Sequence, residues 1–256
     1  MTTTEIELRR WDGTALDCRG CANRDLLDHS RCEPGRTCVE DVYAPRVDRF
    51  MRRNEEIAGE FLTHPWFEVR AIAARYADAD RLPWMIGDPD ETVRSVVALR
   101  LPSHLLARLR RDPHREVRIR VATRLEGEAL ATMADDEDYF VRTLVARRLP
   151  VSMVSLLMND PDREVRRVVA SRLDPADLAG MARDPDPGVR AEIARRIPEA
   201  MLSCLEDDAD WRVRYEVVRR LSAQQVRRLR DDPDQMVREL VLARLEELES
   251  AWKEIA

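Results

Sequence analysis

Four of the five cysteines stand close together, in the pattern Cys18-x2-Cys21-x10-Cys32-x5-Cys38. Thiolates suit zinc and iron–sulfur clusters, and in an oxidising compartment the same four residues can pair as two disulfides. Each reading has its own spacing test. A zinc knuckle usually spaces its ligand pairs by x2 to x4, and the x5 between Cys32 and Cys38 exceeds that. A [4Fe–4S] cluster accepts four cysteines at more varied spacing. Disulfides need an oxidising compartment, whereas Met1 to Trp11 carry Glu5, Glu7, Arg9 and Arg10 and no signal-peptide apolar stretch. The expectation is a cytoplasmic chain with reduced thiols. Arg19, Arg24, Arg31 and Arg36 are interleaved with the thiols; they either offset the negative charge of a thiolate-bound group or are simply solvated. His29 is the other plausible ligand, but four cysteines make it unnecessary. Cys204 lies between Leu202 and Leu205 and reads as a small core residue.

The segment that must position these thiols has little to fold around. Residues 12 to 46 are poor in aliphatics and contain Gly13, Gly20, Pro34, Gly35 and Pro45. A bound metal can supply the missing folding free energy.

No second chemistry is apparent. The four histidines, His29, His64, His104 and His114, are scattered. There is no serine nucleophile elbow, phosphate loop or two-histidine zinc helix. The many acids recur with a period and so speak for helix ends, not acid–base catalysis. The expectation is that the chain is not an enzyme.

From Asp88 onward the sequence repeats every 24 residues without an insertion. The windows begin at Asp88, Asp112, Asp136, Asp160, Asp184, Asp208 and Asp232. Five residues on stands Val in each (Val93 to Val237), then Arg (Arg94 to Arg238), then Val or Ile four residues after the Val (Val97 to Val241). A second Arg recurs from Arg100 to Arg244, followed by Leu or Ile. Such a period predicts a solenoid. Val93, Val97 and Leu101 are spaced i, i+4, i+8 and make one helical stripe, bordered by Ala98 and its equivalents. The opening Asp is expected to cap the helix, with Pro89 and its equivalents as the first helical residue. Pro102, Pro150 and Pro198 stop it. A short segment then carries apolar pairs three apart, such as Leu106 and Leu109 or Val154 and Leu157, which suits a 3₁₀ turn. A degenerate unit spans 64–87, and Phe50, Asn54, Ile57 and Phe61 mark an amphipathic helix before it. The last helix is expected to run on through Leu248 to Trp252 as a cap.

Both arginine columns flank the buried stripe. The expectation is that their stems pack while their guanidinium groups reach acids of the neighbouring repeat. The alternative is a row of Arg lining a groove for an acidic ligand such as nucleic acid. Stacking aromatics are scarce and the net charge is −6, both of which argue against nucleic acid. Charged residues at 36% suit an extended surface, and no apolar run is long enough to span a membrane.

The unit Asp-Pro-Asp-x-x-Val-Arg-x-x-Val-Ala-x-Arg-Leu, seen in Asp160 to Leu173, resembles the leucine-rich repeat variant family, and the four-cysteine segment resembles the iron–sulfur domain found with those repeats in nitrogen-fixing bacteria. That resemblance implies an all-α, right-handed superhelix of alternating α and 3₁₀ helices without strands. It also implies a [4Fe–4S] cluster on Cys18, Cys21, Cys32 and Cys38, with zinc as the alternative. It implies no established activity. The expected division is a cluster domain over 1–46, a capping helix over 47–63 and the solenoid over 64–256, with seven clear repeats from residue 88. The expected function is a protein-interaction scaffold carrying the cluster, with an unknown protein partner; the alternative is a nucleic-acid-binding solenoid.

Overall fold

Each repeat solves the same packing problem, so the architecture follows from one of them. In the computed structural model, which describes residues 8–255 and the side chains of all of these except 223 and 248–255, Glu91–Arg100 is an α-helix. Val93, Val97 and Leu101 are fully buried, as is Ala98 beside them. A short piece follows, Ser103–Leu106 continuing as a 3₁₀ turn over Ala107–Leu109, and it buries Leu106 and Leu109. The i, i+3 spacing of that pair matches the three-residue turn of the 3₁₀ helix. Among the described residues there is no β-strand, only the isolated bridges Arg9–Ala15, Arg10–Asp41 and Glu33–Thr37. No described helix is long and apolar enough to cross a membrane.

The chain forms two compact units, Met1–Leu125 and Glu126–Ala256. The first holds the cysteine segment, the helix Ala44–Arg53, a 3₁₀ stretch Glu55–Thr63, and the helices Phe67–Tyr76, Glu91–Arg100 and Arg115–Ala122 with their short connectors. The second alternates Tyr139–Arg148, Arg163–Arg172, Pro187–Arg196 and Trp211–Val218 with the 3₁₀ pieces Val151–Leu157, Pro175–Met181 and Glu199–Leu205. It ends on Gln235–Ile255. Within each unit consecutive long helices pack on each other, and the Val column is buried in every repeat. The last helix does run on past the repeat, but the side chains from Leu248 to Trp252, on which its capping role depends, lie outside the described residues.

Three local expectations need correction. The column Asp does not cap the helix. Asp90, Asp138, Asp162, Asp186 and Asp210 do so, two residues later; Asp162 accepts from the Glu164 N–H at 2.7 Å. The reason is that Asp-Pro-Asp stays extended: the Pro89 and Pro161 carbonyls are turned to arginines of the following helix. Pro therefore precedes the cap instead of opening the helix. Secondly, the amphipathic pattern from Phe50 to Phe61 is two elements. Asn54, fully buried, donates through Nδ2 to the Phe50 carbonyl and to that of Arg31, and the chain leaves the α-helix there. Thirdly, Cys204 is exposed. In the 3₁₀ stretch Glu199–Leu205 the inward edge recurs every third residue, at Leu202 and Leu205, and Cys204 falls off it.

The arginine columns do different jobs. Arg94 sets Nε and a terminal nitrogen on the two carboxylate oxygens of Asp112 at 2.7 and 3.0 Å, while its other nitrogen donates to the Asp88 and Pro89 carbonyls. Arg70–Asp88 repeats this in the first unit, and Arg142–Asp160, Arg166–Asp184, Arg190–Asp208 and Arg214–Asp232 in the second. Bidentate pairing of this kind needs the planar guanidinium. Burial alone would push the Asp208 and Asp232 carboxyls up. The hydrogen bonds from Arg190 and Arg214, with backbone N–H donors, overcome that and hold both below the usual carboxylate range. In the second column Arg100, Arg124, Arg172, Arg196 and Arg220 bond to backbone carbonyls in place of the expected acids. Arg100 donates to the Ala74 and Ala77 carbonyls, and Arg124 to those of Ala98 and Leu101. Arg172 and Arg220 likewise reach Ala146 and Ala194. These carbonyls belong to the last turn of the preceding repeat's helix or, at Ala77 and Leu101, to the cap residue that follows it, where the helix supplies no partner. The second Arg thus closes the helix end that the proline break leaves open.

Candidate metal centre

The cysteine segment is built mostly of turns. Asp12 accepts from the Thr14 N–H and hydroxyl, and Asp17 from the Arg19 N–H. One short helix, Arg24–Asp28, follows Cys21, and the Leu26 carbonyl accepts from the N–H groups of both Arg31 and Cys32. A tight loop then joins Cys32 to Cys38. Glu33 and Thr37 exchange both backbone hydrogen bonds at 2.7 Å, and Gly35 turns the chain at φ +78°, a conformation that favours glycine. This loop is the physical reason that the x5 spacing can bring both thiols to one side.

Cys18, Cys21, Cys32 and Cys38 all line one cavity of about 240 Å³, together with Leu16, Leu27, Arg10, Arg24 and Glu40. Cys32 and Cys38 are buried, Cys18 and Cys21 half-buried. Cys21 Sγ accepts from the Asn23 N–H at 3.5 Å, and Cys32 Sγ lies 3.4 Å from the Thr37 carbonyl. The thiols feel one another. Burial pushes Cys18 up, and the nearby Cys38 and Cys21 add to it. Cys38 and Cys32 share a hydrogen bond that raises Cys38 and lowers Cys32, so the two thiols titrate as a pair. Four thiols crowded around one space resist becoming four thiolates unless a cation joins them.

Among the described residues no three His, Cys, Asp or Glu side chains form a group that could hold a metal ion as they stand. The thiols stand around the wall of a space without converging on one point within it. The donor set and the room fit a thiolate-bound group larger than one ion.

Other candidates fall outside this site. His29 Nδ1 is taken up by the Asp25 carbonyl at 2.8 Å. Of the interleaved arginines only Arg24 lines the cavity; Arg19 and Arg36 are exposed, and Arg31 pairs with Glu56. Two supports were not legible in the sequence. Glu40, at the cavity wall, accepts from Arg10 at 2.9 Å and from the Trp11 indole at 3.2 Å. Fully buried Asp41 pairs with Arg46 at 3.0 Å and accepts from the Tyr43 N–H, which anchors the segment to the helix Ala44–Arg53. Neither pair has a spacing signature; both are made by tertiary folding.

Comparison with known proteins agrees with both halves of this description. Residues 8–60 match a family model described as the LRV protein FeS4 cluster. An uncharacterised 27.7 kDa protein of the nifB 3′ region of Rhodobacter capsulatus is 46% identical over 93 residues. That match takes in 36% of this chain and only 38% of the relative's length. The solved structure of a leucine-rich repeat variant with a repetitive structural motif described as novel is 44% identical, with a TM-score of 0.81 over 90% of this chain and 99% of that one.

Proposed function

The chain belongs to the leucine-rich repeat variant family, and we propose that it is a non-enzymatic scaffold that binds a protein partner on its repeats and carries a [4Fe–4S] cluster on Cys18, Cys21, Cys32 and Cys38. The observation that carries this reading is the single cavity lined by all four thiols. The thiols line a cavity of about 240 Å³ without grouping around one point, which suits a cluster better than a single zinc ion. When bound, such a cluster supplies one-electron redox chemistry. The chain's own residues do the rest. Leu16 and Leu27 line the space with apolar surface, the Asn23 N–H donates to Cys21, and Arg24 with Arg10 places positive charge beside an anionic group. Four protein ligands leave no iron open to substrate, which favours a carrier over a catalyst. Four cysteines can serve as cluster ligands only where thiols stay reduced, so the compartment that goes with this reading is the cytoplasm.

The nucleic-acid alternative draws less support. Its arginines are engaged within the fold: the first column on carboxylates, the second on carbonyls. The test of the main reading is anaerobic purification with iron and sulfide analysis. Brown protein with absorbance near roughly 400 nm that bleaches on reduction is expected. Cys21→Ala should abolish it and exposed Cys204→Ala should not. Colourless protein with one zinc per chain would refute the cluster.

A further inference from the structure

The repeat columns that vary are as informative as those that do not. Three residues after the column Asp the repeats carry Glu91, Arg115, Tyr139, Arg163, Pro187, Trp211 and Gln235; seven after it they carry Ser95, Ile119, Thr143, Arg167, Ala191, Tyr215 and Glu239. Packing therefore does not dictate these positions, because Glu, Arg, Ser and Pro all serve there. An aromatic at such a place does not exist for the core. Trp211 is nonetheless 39% exposed, and its ring stands edge-on to Tyr215 at 6.3 Å. Met236 of the next repeat is 50% exposed. These three wall a groove of about 480 Å³ whose floor is made of Gly188 and Ala191. That is the size of a pocket for a small ligand or one large side chain.

Charge identifies the occupant. The groove is lined by Arg167, Arg195 and Arg212 and one carboxylate, Glu216. Glu216 is buried and doubly paired, to Arg195 at 2.8 Å and Arg219 at 3.2 Å. Its charge is spent inside the fold. Arg212 is held by its neighbour Asp210. Arg167 stands 3.8 Å from Glu164, beyond hydrogen-bond range, and its side chain is 58% exposed. The groove thus offers an aromatic wall, a small-residue floor and a basic rim, on a chain whose net charge is −6. The same register five repeats earlier has Glu91, Ser95 and Glu116 in place of Trp211, Tyr215 and Met236, and the groove there has no aromatic wall.

We propose that the Trp211–Tyr215–Met236 groove is a docking site for an acidic, apolar peptide segment of a partner protein, with one large apolar side chain seated on the aromatics and a neighbouring carboxylate on Arg167. This names the recognition chemistry of the scaffold and rests on that reading. Single-stranded nucleic acid is the lesser fit. It stacks on ring faces along a basic track, whereas the two rings here meet edge to face at 87°.

The test is fluorescence anisotropy on the full chain with short labelled peptides: alternating Asp and Phe, alternating Lys and Phe, and alternating Asp and Ser. Labelled oligothymidine is the fourth probe. The Asp–Phe peptide should bind best, and more weakly as salt rises. Trp211→Ala should weaken it by about tenfold or more, the loss typical of a truncated aromatic anchor. Arg167→Glu, at an exposed site that leaves the fold intact, should weaken it as well, and Glu91→Ala in the groove without aromatics should not. Tighter binding of the Lys–Phe peptide or of oligothymidine overturns the proposal, as does an Asp–Phe peptide that fails to bind or ignores Arg167→Glu. Capture from native cell extract separates the two levels. A partner retained equally by wild type and Arg167→Glu sinks the groove and spares the scaffold; no specific partner for either sinks the scaffold, while the peptide result still decides the groove.

Discussion

The cysteine segment and the repeats reach a fixed structure by opposite means. A repeat carries its own glue in every turn of sequence: Val169 and Val165 are fully buried, Asp162 caps the helix, Arg166 holds the next repeat through Asp184. Each such piece contributes a modest amount, and neighbours add. The segment from 8 to 43 has one five-residue helix that buries nothing, a few hydrogen-bonded turns and a ring of thiols. Its stability is concentrated in one place, whereas that of the repeats is distributed. Distributed stability tolerates loss in parts; concentrated stability fails as a whole.

The largest expected effect tests that contrast directly. Removing the bound group, by chelation under oxidation or by Cys38→Ser, should open residues 8–43 to protease while the second unit keeps its helical signal and melting temperature. Metal binding energy in such small sites is folding energy. Limited proteolysis with mass spectrometry, run beside circular dichroism, reads both. A segment that stays resistant without its metal would show that its turns and the Asp41–Arg46 pair suffice.

Next in size come the buried ion pairs. Arg142→Ala should destabilise the second unit by about 3–5 kcal/mol, because it strands the Asp160 carboxylate in a nearly dry site. Arg172→Ala should cost less, since it frees a carbonyl and no charge. Equal losses in urea unfolding would contradict the division of labour between the columns. The pairs also set an acid limit. Asp208 and Asp232 have folded values below their unfolded ones, so their contribution is fully present above the unfolded value of about 4. It is lost as pH falls through the folded values. Stability should therefore drop below about pH 4, and Asp232→Asn should flatten that drop while lowering stability at neutral pH.

Much of this was readable beforehand, because a strict period reports burial: a position that is Val in every repeat is a core position. The cysteine pattern picked out the four residues that line one cavity for the same kind of reason, a composition with no other apparent use. What escaped the reading has physical causes. Asp-Pro-Asp offers two carboxylates for one cap, and only the extended path through proline chooses the second. Asn54 interrupts a helix whose apolar pattern continues unbroken, since its amide satisfies the Phe50 carbonyl from within. The Arg10–Glu40 and Asp41–Arg46 contacts have no sequence period at all. Trp211 and Tyr215 went unread because invariant columns draw attention to the core, whereas the proposed docking groove lies in columns free to vary.

Val169→Ala is the middle case. It removes two methyl-sized groups from a fully buried site and should cost about 1–3 kcal/mol from transfer and cavity terms. Ser171 is exposed, with its hydroxyl bonded to the Val168 carbonyl, and Ser171→Ala should stay within about 0.5 kcal/mol of neutral. Similar losses would mean that the buried face has been misassigned.

The smallest effect separates the two aspartates of the repeat. Asp162→Ala takes away the acceptor of the Glu164 N–H at a solvent-facing helix start, where water can replace it, so the loss should be about 1 kcal/mol. The chain holds its own converse. In the repeat that begins at Asp112 the capping position is His114, whose side chain makes no cap hydrogen bond, and the helix it precedes, Arg115–Ala122, is shorter than Glu91–Arg100. The backbone at His114 already has the extended cap conformation, φ −95° and ψ 122°, close to that of Asp90. His114→Asp therefore needs no rearrangement to place a carboxylate on the helix N–H groups, and Asp88 beside Asp90 shows that the repeat accommodates two such acids. The expected gain is about 0.5–1 kcal/mol, seen as a rise in the urea midpoint of the first unit. A gain from His114→Asp matched by a loss from Asp162→Ala fixes the cap at the second position. If neither substitution moves the midpoint, the helix starts are held by the Arg94-type contacts to the Asp and Pro carbonyls alone.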